Sequence, residues 1–368
     1  MLIKKERFYL SKFKLGTSAA ASWAWGTSLI MGQQIAQEKG LIAWVIWAVC
    51  NTLTLAMFGH LTKRGYLSAN IYRRKEVKII AVVIQLFCLL VQLNFINKQF
   101  LTITGNSTVA YAITAVIGVV FTIMVFRKGL PTSVKTDVAQ WIMAAIAIAA
   151  IISVGFISGA EHQIFAPTSS SGVSWGIWSG LILFAGPIGD VQHWQRAEAD
   201  KSGKAYYIGA VLFGLYMLLI LGMAFFKFNK TMNILLLIAV LGITTSTIDS
   251  IAVALHELGN KKVGTGASIA LCLLFGLFVK MGMIDLWASF GVIRFAFAVG
   301  ILLLPFALKG KKSVVIPAIA ASSAVIAYFI IDKQIVIASV AGMISVIVAC
   351  AIYVYILAML CIKRNGNA

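Results

Sequence analysis

Long apolar runs, separated by short polar connections, make up nearly all of the chain. Twelve runs are long enough to be helices crossing a bilayer, at roughly 13–38, 40–62, 76–97, 107–126, 132–156, 174–195, 205–228, 232–257, 263–281, 284–307, 313–331 and 335–362. The pattern predicts an all-α polytopic membrane protein. Two of the runs contain stretches that cannot continue as regular helix. One is Ser22-Trp23-Ala24-Trp25-Gly26-Thr27 in the first run, and the other is Gly186-Pro187-Ile188-Gly189-Asp190 in the sixth. Interrupted backbone at membrane depth is tolerated only where it is buried in protein or lines a cavity. A pair of such interruptions in corresponding halves is the mark of a secondary transporter.

Composition agrees with this pattern. Of 368 residues, 60% are hydrophobic and 12% charged, with a mean hydropathy of +0.94, more apolar surface than a soluble domain can bury. The N-terminal Met1-Leu2-Ile3-Lys4-Lys5-Glu6-Arg7 lacks the features of a removable signal peptide, so the first span is expected to direct its own insertion. The formal charge of +19 looks at first like a nucleic-acid surface. Its distribution says otherwise: most lysines and arginines fall in alternate connections, and the opposite connections hold only Lys39, Lys98, Lys227, Lys230, Lys280 and Lys333. By the positive-inside rule both termini are cytoplasmic, and the basic excess meets anionic lipid rather than nucleic acid. The localisation expected is the plasma or inner membrane. The five cysteines have no metal-type spacing and read as small core residues.

With the N-terminus inside, span 1 runs outward and span 6 inward, so five spans are followed by five of opposite orientation. The expected organisation is a basic segment at 1–12, a first five-helix repeat at 13–156, an external loop at 157–173 and an inverted repeat at 174–307. Two peripheral helices and a cytoplasmic tail follow at 308–368. No sequence similarity links the halves; the repeat is inferred from topology.

The eighth span carries the densest candidate chemistry, Thr244-Thr245-Ser246-Thr247-Ile248-Asp249-Ser250. Ser246, Asp249 and Ser250 are spaced i, i+3, i+4 and share a face. Hydroxyls there can bond back to their own helix, or join a shell of hard oxygens around a cation. A mid-membrane carboxylate needs a cation, a proton or donors, which favours an ion site. In span 1, Gly26 permits unwinding, and Trp23 and Trp25 can pack in the core or wall a solute cavity. Arg294, within span 10, is open to pairing with Asp249 or Asp190, facing an inner vestibule, or meeting solute. His193, His256 and Glu257 are expected near cytoplasmic helix ends in solvated or capping roles.

Four motifs in order carry a family resemblance over about residues 16–300. Thr136-Asp137-Val138-Ala139-Gln140 resembles the Thr-Asp-x-x-Gln signature of the sodium:solute symporter family. Asp190-x-x-x-Trp194-Gln195-Arg196-Ala197 is similar to its Asp-x5-Arg exit motif. Ser22-Trp23-x-Trp25-x-Thr27 resembles the urea/polyamine branch, and Thr245-Ser246-Thr247 with Ile251-Ala252-Val253 resembles span 8. The resemblance implies a leucine-transporter-type core, a 5+5 inverted repeat plus two peripheral helices, working as a sodium-coupled symporter of a small polar solute such as urea or a small amide or amine. It implies Na+ bound by carbonyls of Ala21, Ala24 and Ile243 and hydroxyls of Ser246 and Thr247. A second ion or proton is expected at Asp137, Ser246, Asp249 and Ser250. Here a carboxylate, Asp249, stands where some relatives place a hydroxyl. The solute is expected at Trp23, Trp25, Gly26, Thr27, Gly186 and Arg294. Asp190, Gln195 and Arg196 are expected at an inner gate. The expected partners are the solute, sodium and the bilayer. The chain departs from the family in lacking the usual extra leading helix and in its trimmed loops. A channel or uniporter, or a solute-binding sensor or accessory subunit on the same scaffold, is the alternative. An enzyme is not expected, since no His-x-x-x-His, Gly-x-Ser-x-Gly or paired catalytic carboxylates are present.

Overall fold

The computed structural model describes residues 11–65, 75–126, 129–184, 186–258 and 260–278, with the isolated positions 291, 294, 297 and 298. These residues form eleven α-helices: α1 (Lys12–Trp23), α2 (Gly26–Lys39), α3 (Leu41–Lys63), α4 (Lys75–Thr104), α5 (Ser107–Met124), α6 (Leu130–Ile157), α7 (Ser170–Phe184), α8 (Val191–Ala199), α9 (Lys204–Ala224), α10 (Lys230–Leu258) and α11 (Lys261–Leu274). Six of them, α3, α4, α5, α6, α9 and α10, are long and apolar enough to cross a membrane. The chain is a helical membrane protein, and nine of the expected spans coincide with these helices. Span 1 is α1 with α2, span 6 is α7 with α8, and span 9 is α11 with the short 3-10 turn Phe275–Phe278. The last three expected spans lie outside the described residues, apart from the four isolated positions.

Local sequence explains several boundaries. The Asn106 side chain accepts from the N–H groups of Thr108 and Val109 and so starts α5. α4 runs through Asn97, Lys98 and Gln99 to Thr104, past the end the hydropathy pattern predicts at 97, and stops where Gly105 takes φ 65°. Pro131 opens α6, where its missing N–H costs nothing.

Burial sorts the helices. In the most apolar stretch of α10, 72% of residues are buried, against 28% in α5, so α10 is central and α5 peripheral. α10 packs against α6, α4, α11, α5, α1 and α8, while α1 packs against α9, α6 and α8. Val116, Val120 and Ile123 on α5, and Ile142 and Ile146 on α6, are exposed at helical spacing. On a membrane protein such stripes face lipid. The segment after α6 is tied down by main-chain bonds: Gln163 N–H to the Phe225 carbonyl (2.7 Å), Lys227 N–H to Glu161 (2.8 Å) and Ala166 N–H to Gln37 (3.1 Å).

Candidate functional site at the two helix interruptions

The first helix is broken where the sequence predicts. α1 ends at Trp23, with the Ala24 N–H shared between the carbonyls of Ala20 (2.8 Å) and Ala21 (3.3 Å). α2 begins at Gly26, whose N–H lacks an intrahelical carbonyl and donates to Gln92 Oε1 at 3.2 Å. Two contacts set the register of the break against α10. Ser22 Oγ lies 3.2 Å from Ser250 Oγ, and a Cβ on Gly26 would collide with the Thr244 methyl. The segments therefore pass in opposite senses, and Ala24, midway between Ser22 and Gly26, falls level with the turn Ile243–Thr247. Thr247 Oγ1 donates to the Ile243 carbonyl at 3.1 Å, so two of the expected sodium ligands already touch. Ser246 turns instead toward α6 and donates to Asp137 Oδ1 at 2.6 Å. Ala21, Ala24, Ile243, Ser246 and Thr247 are all fully buried.

One turn toward the α8 side lies a saturated polar cluster. Asp137 on α6 accepts from Ser18, from Ser246 and from Arg196 Nη2 at 2.8 Å. The Arg196 guanidinium also donates through Nε to Ser18 Oγ (2.7 Å), through Nη2 to Ser250 Oγ (2.7 Å) and through Nη1 to the Gln192 carbonyl (2.8 Å). Asp249 accepts from Ser133 Oγ (2.7 Å) and Thr136 Oγ1 (2.6 Å), with Ser250 Oγ at 3.3 Å. Its hydrogen-bond partners among the described residues are thus all hydroxyls. Asp137, Ser246, Asp249 and Ser250, expected around a second ion or proton, do come together, and a guanidinium already stands among them.

The second interruption is a 3-10 turn, Gly186–Ile188, between α7 and α8. It packs on the first: a Cβ on Gly186 would run into the Trp23 ring. Arg294 lies over both indoles, its guanidinium carbon 5.0 Å from the Trp23 ring centre and 5.0 Å from that of Trp25. The Asp190 carboxyl lies within its electrostatic reach. Trp23 Nε1 donates to the Asn51 carbonyl at 3.0 Å, and its ring meets His193 edge-on. Trp23, Trp25, Gly26, Thr27, Gly186 and Arg294 are all buried.

Of the residues expected at an inner gate, Asp190 and Arg196 have separate partners, and one expectation, for His193, needs correcting. Asp190 accepts from Gln85 Nε2 (2.8 Å) and Gln192 Nε2 (2.7 Å), while Arg196 pairs with Asp137. Five residues of α8 lie between them, and the helix turns them to different neighbours; Gln195 is buried as well. His193 is not solvated; it is fully buried, because the rings of Trp23, Phe58 and Tyr206 on three other helices close around it. His256 is half-buried and bonds Thr265 Oγ1 at 2.7 Å.

The sequence reading missed the amides. Asn51, Gln85, Gln92 and Gln192 are buried, and each keeps at least one side-chain polar atom without a hydrogen-bond partner among the described residues, as do both His193 ring nitrogens. Unpartnered polar atoms in a protein interior call for a specific cause, such as a bound water or ion. A signal existed: Gln85, Cys88 and Gln92 at i, i+3, i+7 put a polar stripe on an otherwise apolar spanning helix. Ser18 and Ser133 were missed too, because only the tertiary fold turns them toward the two aspartates.

No protein family model matches the chain, and no curated protein does. Solved structures share its fold. A Na+-coupled sialic acid symporter, in a substrate-bound outward-open state, superposes with a TM-score of 0.57 at 13% identity, covering 93% of this chain and 89% of its own. A manganese transporter from Eremococcus coleocola, solved as a point mutant, superposes with a TM-score of 0.55 at 12% identity, covering 97% of this chain and 96% of its own. At such identity the likeness is one of fold: a transporter architecture, with no enzyme among these neighbours.

Proposed function

We propose that this chain is a sodium-coupled secondary symporter that imports a small polar organic solute by alternating access, with urea and small amides or amines the class to test first. Its core is a leucine-transporter-type 5+5 inverted repeat in the plasma or inner membrane, with two peripheral helices and cytoplasmic termini. Sodium binds between the end of α1 and the Ile243–Thr247 turn of α10, held by carbonyls of Ala21, Ala24 and Ile243 and hydroxyls of Ser246 and Thr247. The solute binds at Trp23, Trp25, Gly26, Thr27, Gly186 and Arg294, with Asn51 and Gln92 directly beside them. Arg196 and Gln195 on α8, with Asp190 just before its first turn, close the inner side.

One observation carries the reading: a broken helix whose interruption lies level with a buried hydroxyl turn on the most central helix. Carbonyls freed by the break and hydroxyls fixed by α10 are the oxygens a hard cation takes. The sodium coupling of the sialic acid symporter with this fold points the same way. Because the ion and the solute share the break, each raises the affinity for the other.

The test is uptake of labelled urea, amines, amino acids and small carboxylates into proteoliposomes holding the purified chain, under an imposed sodium gradient. The reading expects concentrative uptake that collapses when potassium replaces sodium. Thr247→Ala is expected to raise the sodium concentration for half-maximal uptake about tenfold, the loss of one ligand worth about 1.4 kcal/mol. Sodium-independent flux would make the protein a channel or uniporter; solute binding without flux would make it a sensor or accessory subunit.

A further inference from the structure

Three glutamines at the interruptions are held in fixed orientations by what they bond. Gln85 on α4 and Gln192 on α8 are fully buried, and each turns its Nε2 to the carboxylate of Asp190, at 2.8 Å on Oδ1 and 2.7 Å on Oδ2. An ionised carboxylate only accepts, so both amides present nitrogen to it and their orientation follows from chemistry. The Oε1 atoms of Gln85 and Gln192 are left with no hydrogen-bond partner among the described residues. Gln92, seven residues along α4 and so on the same face as Gln85, is held the opposite way round. Its Oε1 accepts from the Gly26 N–H, which leaves Nε2 without a partner among the described residues. Asp190 lies just past the Gly186–Ile188 turn and Gly26 opens α2, so two acceptors and one donor stand at the interruptions. Arg294 lies within electrostatic reach of Asp190 and offsets its charge, so the three amides call for a neutral solute.

We propose that Asp190 sets the hydrogen-bonding polarity of the solute site: by drawing the amide nitrogens of Gln85 and Gln192 to itself it leaves their carbonyl oxygens for the solute, and so selects a neutral primary amide or urea over carboxylates and over carbonyl compounds without N–H. The inference rests on the solute site of the preceding section and adds what discriminates between solutes there. N–H groups of the solute meet Gln85 and Gln192, and its carbonyl meets Gln92 Nε2. A carboxylate brings only acceptors, which would leave both Oε1 atoms buried and unpaired. Asp190 is a positioning residue: besides its place on the inner side, it acts through two amides without itself touching solute.

Acetamide, acetone and acetate share a shape and differ in one substituent: an N–H2 group, a methyl or a charged oxygen. Each is tested as a competitor of labelled urea uptake by proteoliposomes holding the full-length chain under a sodium gradient. Each is also added, with sodium, to the protein in detergent during thermal unfolding, where a bound solute stabilises the folded state. Wild type is expected to take acetamide at least about tenfold better than acetone or acetate, since a solute without N–H leaves buried acceptors unpaired. In Asp190→Asn an N–H2 group replaces one carboxylate oxygen, so one glutamine turns its oxygen to it and its own N–H2 to the solute. That variant is expected to lose about tenfold of the preference for acetamide over acetate. Asparagine starts a helix as well as aspartate does, so α8 is left intact. Equal competition by acetamide and acetone in wild type would overturn the proposal, as would an Asp190→Asn variant that weakens on all three compounds alike. If Asp190→Asn does not fold, the wild-type ranking of the three compounds decides. If urea is not carried, stabilisation of wild type by acetamide beyond acetone and acetate upholds the solute preference while the transport reading fails; stabilisation by none of them ends the proposal. Sodium-driven uptake in which acetate competes as well as acetamide leaves the transport reading standing and overturns the role of Asp190.

Discussion

Two buried polar regions flank the first helix interruption, and they are finished differently. Around Asp137, Asp249 and Arg196, each charged group has partners within hydrogen-bonding distance, drawn from α1, α6, α8 and α10. Around Trp23 and the Gly186–Ile188 turn, Asn51, Gln85, Gln92, Gln192 and His193 keep polar atoms with no partner among the described residues. A saturated network in a low-dielectric interior is rigid, and removing one member strands the rest. A partly satisfied one carries a standing cost that a polar ligand can remove. On the reading proposed above, the saturated region is framework and the other the solute receptacle, although both consist of polar side chains buried at membrane depth.

The comparison can be broken most forcefully at the cluster. Asp137→Ala strands Arg196 without its carboxylate and is expected to cost about 3–5 kcal/mol, seen as loss of monodisperse folded protein in detergent. A fully folded variant would show that the network is not framework. Gly186→Ala tests the packing between the two interruptions. Its methyl would meet the Trp23 ring, and a loss of about 1–3 kcal/mol in thermal unfolding is expected. Asn51→Leu sharpens the contrast in the other direction. It removes an amide whose side-chain atoms have no partner among the described residues, so stability is expected to hold within about 1 kcal/mol while solute uptake falls about tenfold or more. Destabilisation with uptake intact would make Asn51 structural. The smallest effect belongs to a pair outside both regions. Glu161 and Lys227 lie 2.6 Å apart, but their side chains are 73% and 50% exposed, so Glu161→Gln is expected to cost under about 1 kcal/mol and to matter less at high salt.

Much of this was legible along the chain because the bilayer imposes a length on each helix and forbids unpaired backbone within it. Hydropathy located nine helical spans among the described residues, and missed the end of α4 by several residues because polar Asn97 and Lys98 continue the helix to Gly105. Gly26 and the Gly186-Pro187 pair marked both interruptions, and in the structure both glycines sit where a Cβ would collide, with the Thr244 methyl and the Trp23 ring. The hydroxyl run of α10 announced a polar site through composition alone. Partnership was not legible. Asp137 and Arg196 are 59 residues apart, Ser133 and Asp249 are 116 apart, and Ser18 meets Asp137 across 119.

From the sequence itself came the solvent the protein lives in, the spans, their two breaks and the residue types able to hold a cation, all dictated by local rules of hydrogen bonding and burial. The tertiary structure alone decided that Arg196 serves Asp137 rather than Asp190, that Arg294 lies on two indoles, and that the amides of α3 and α4 face inward. Those outcomes depend on helix rotation and register, which are set by side-chain packing between distant segments and leave no periodic trace along the chain.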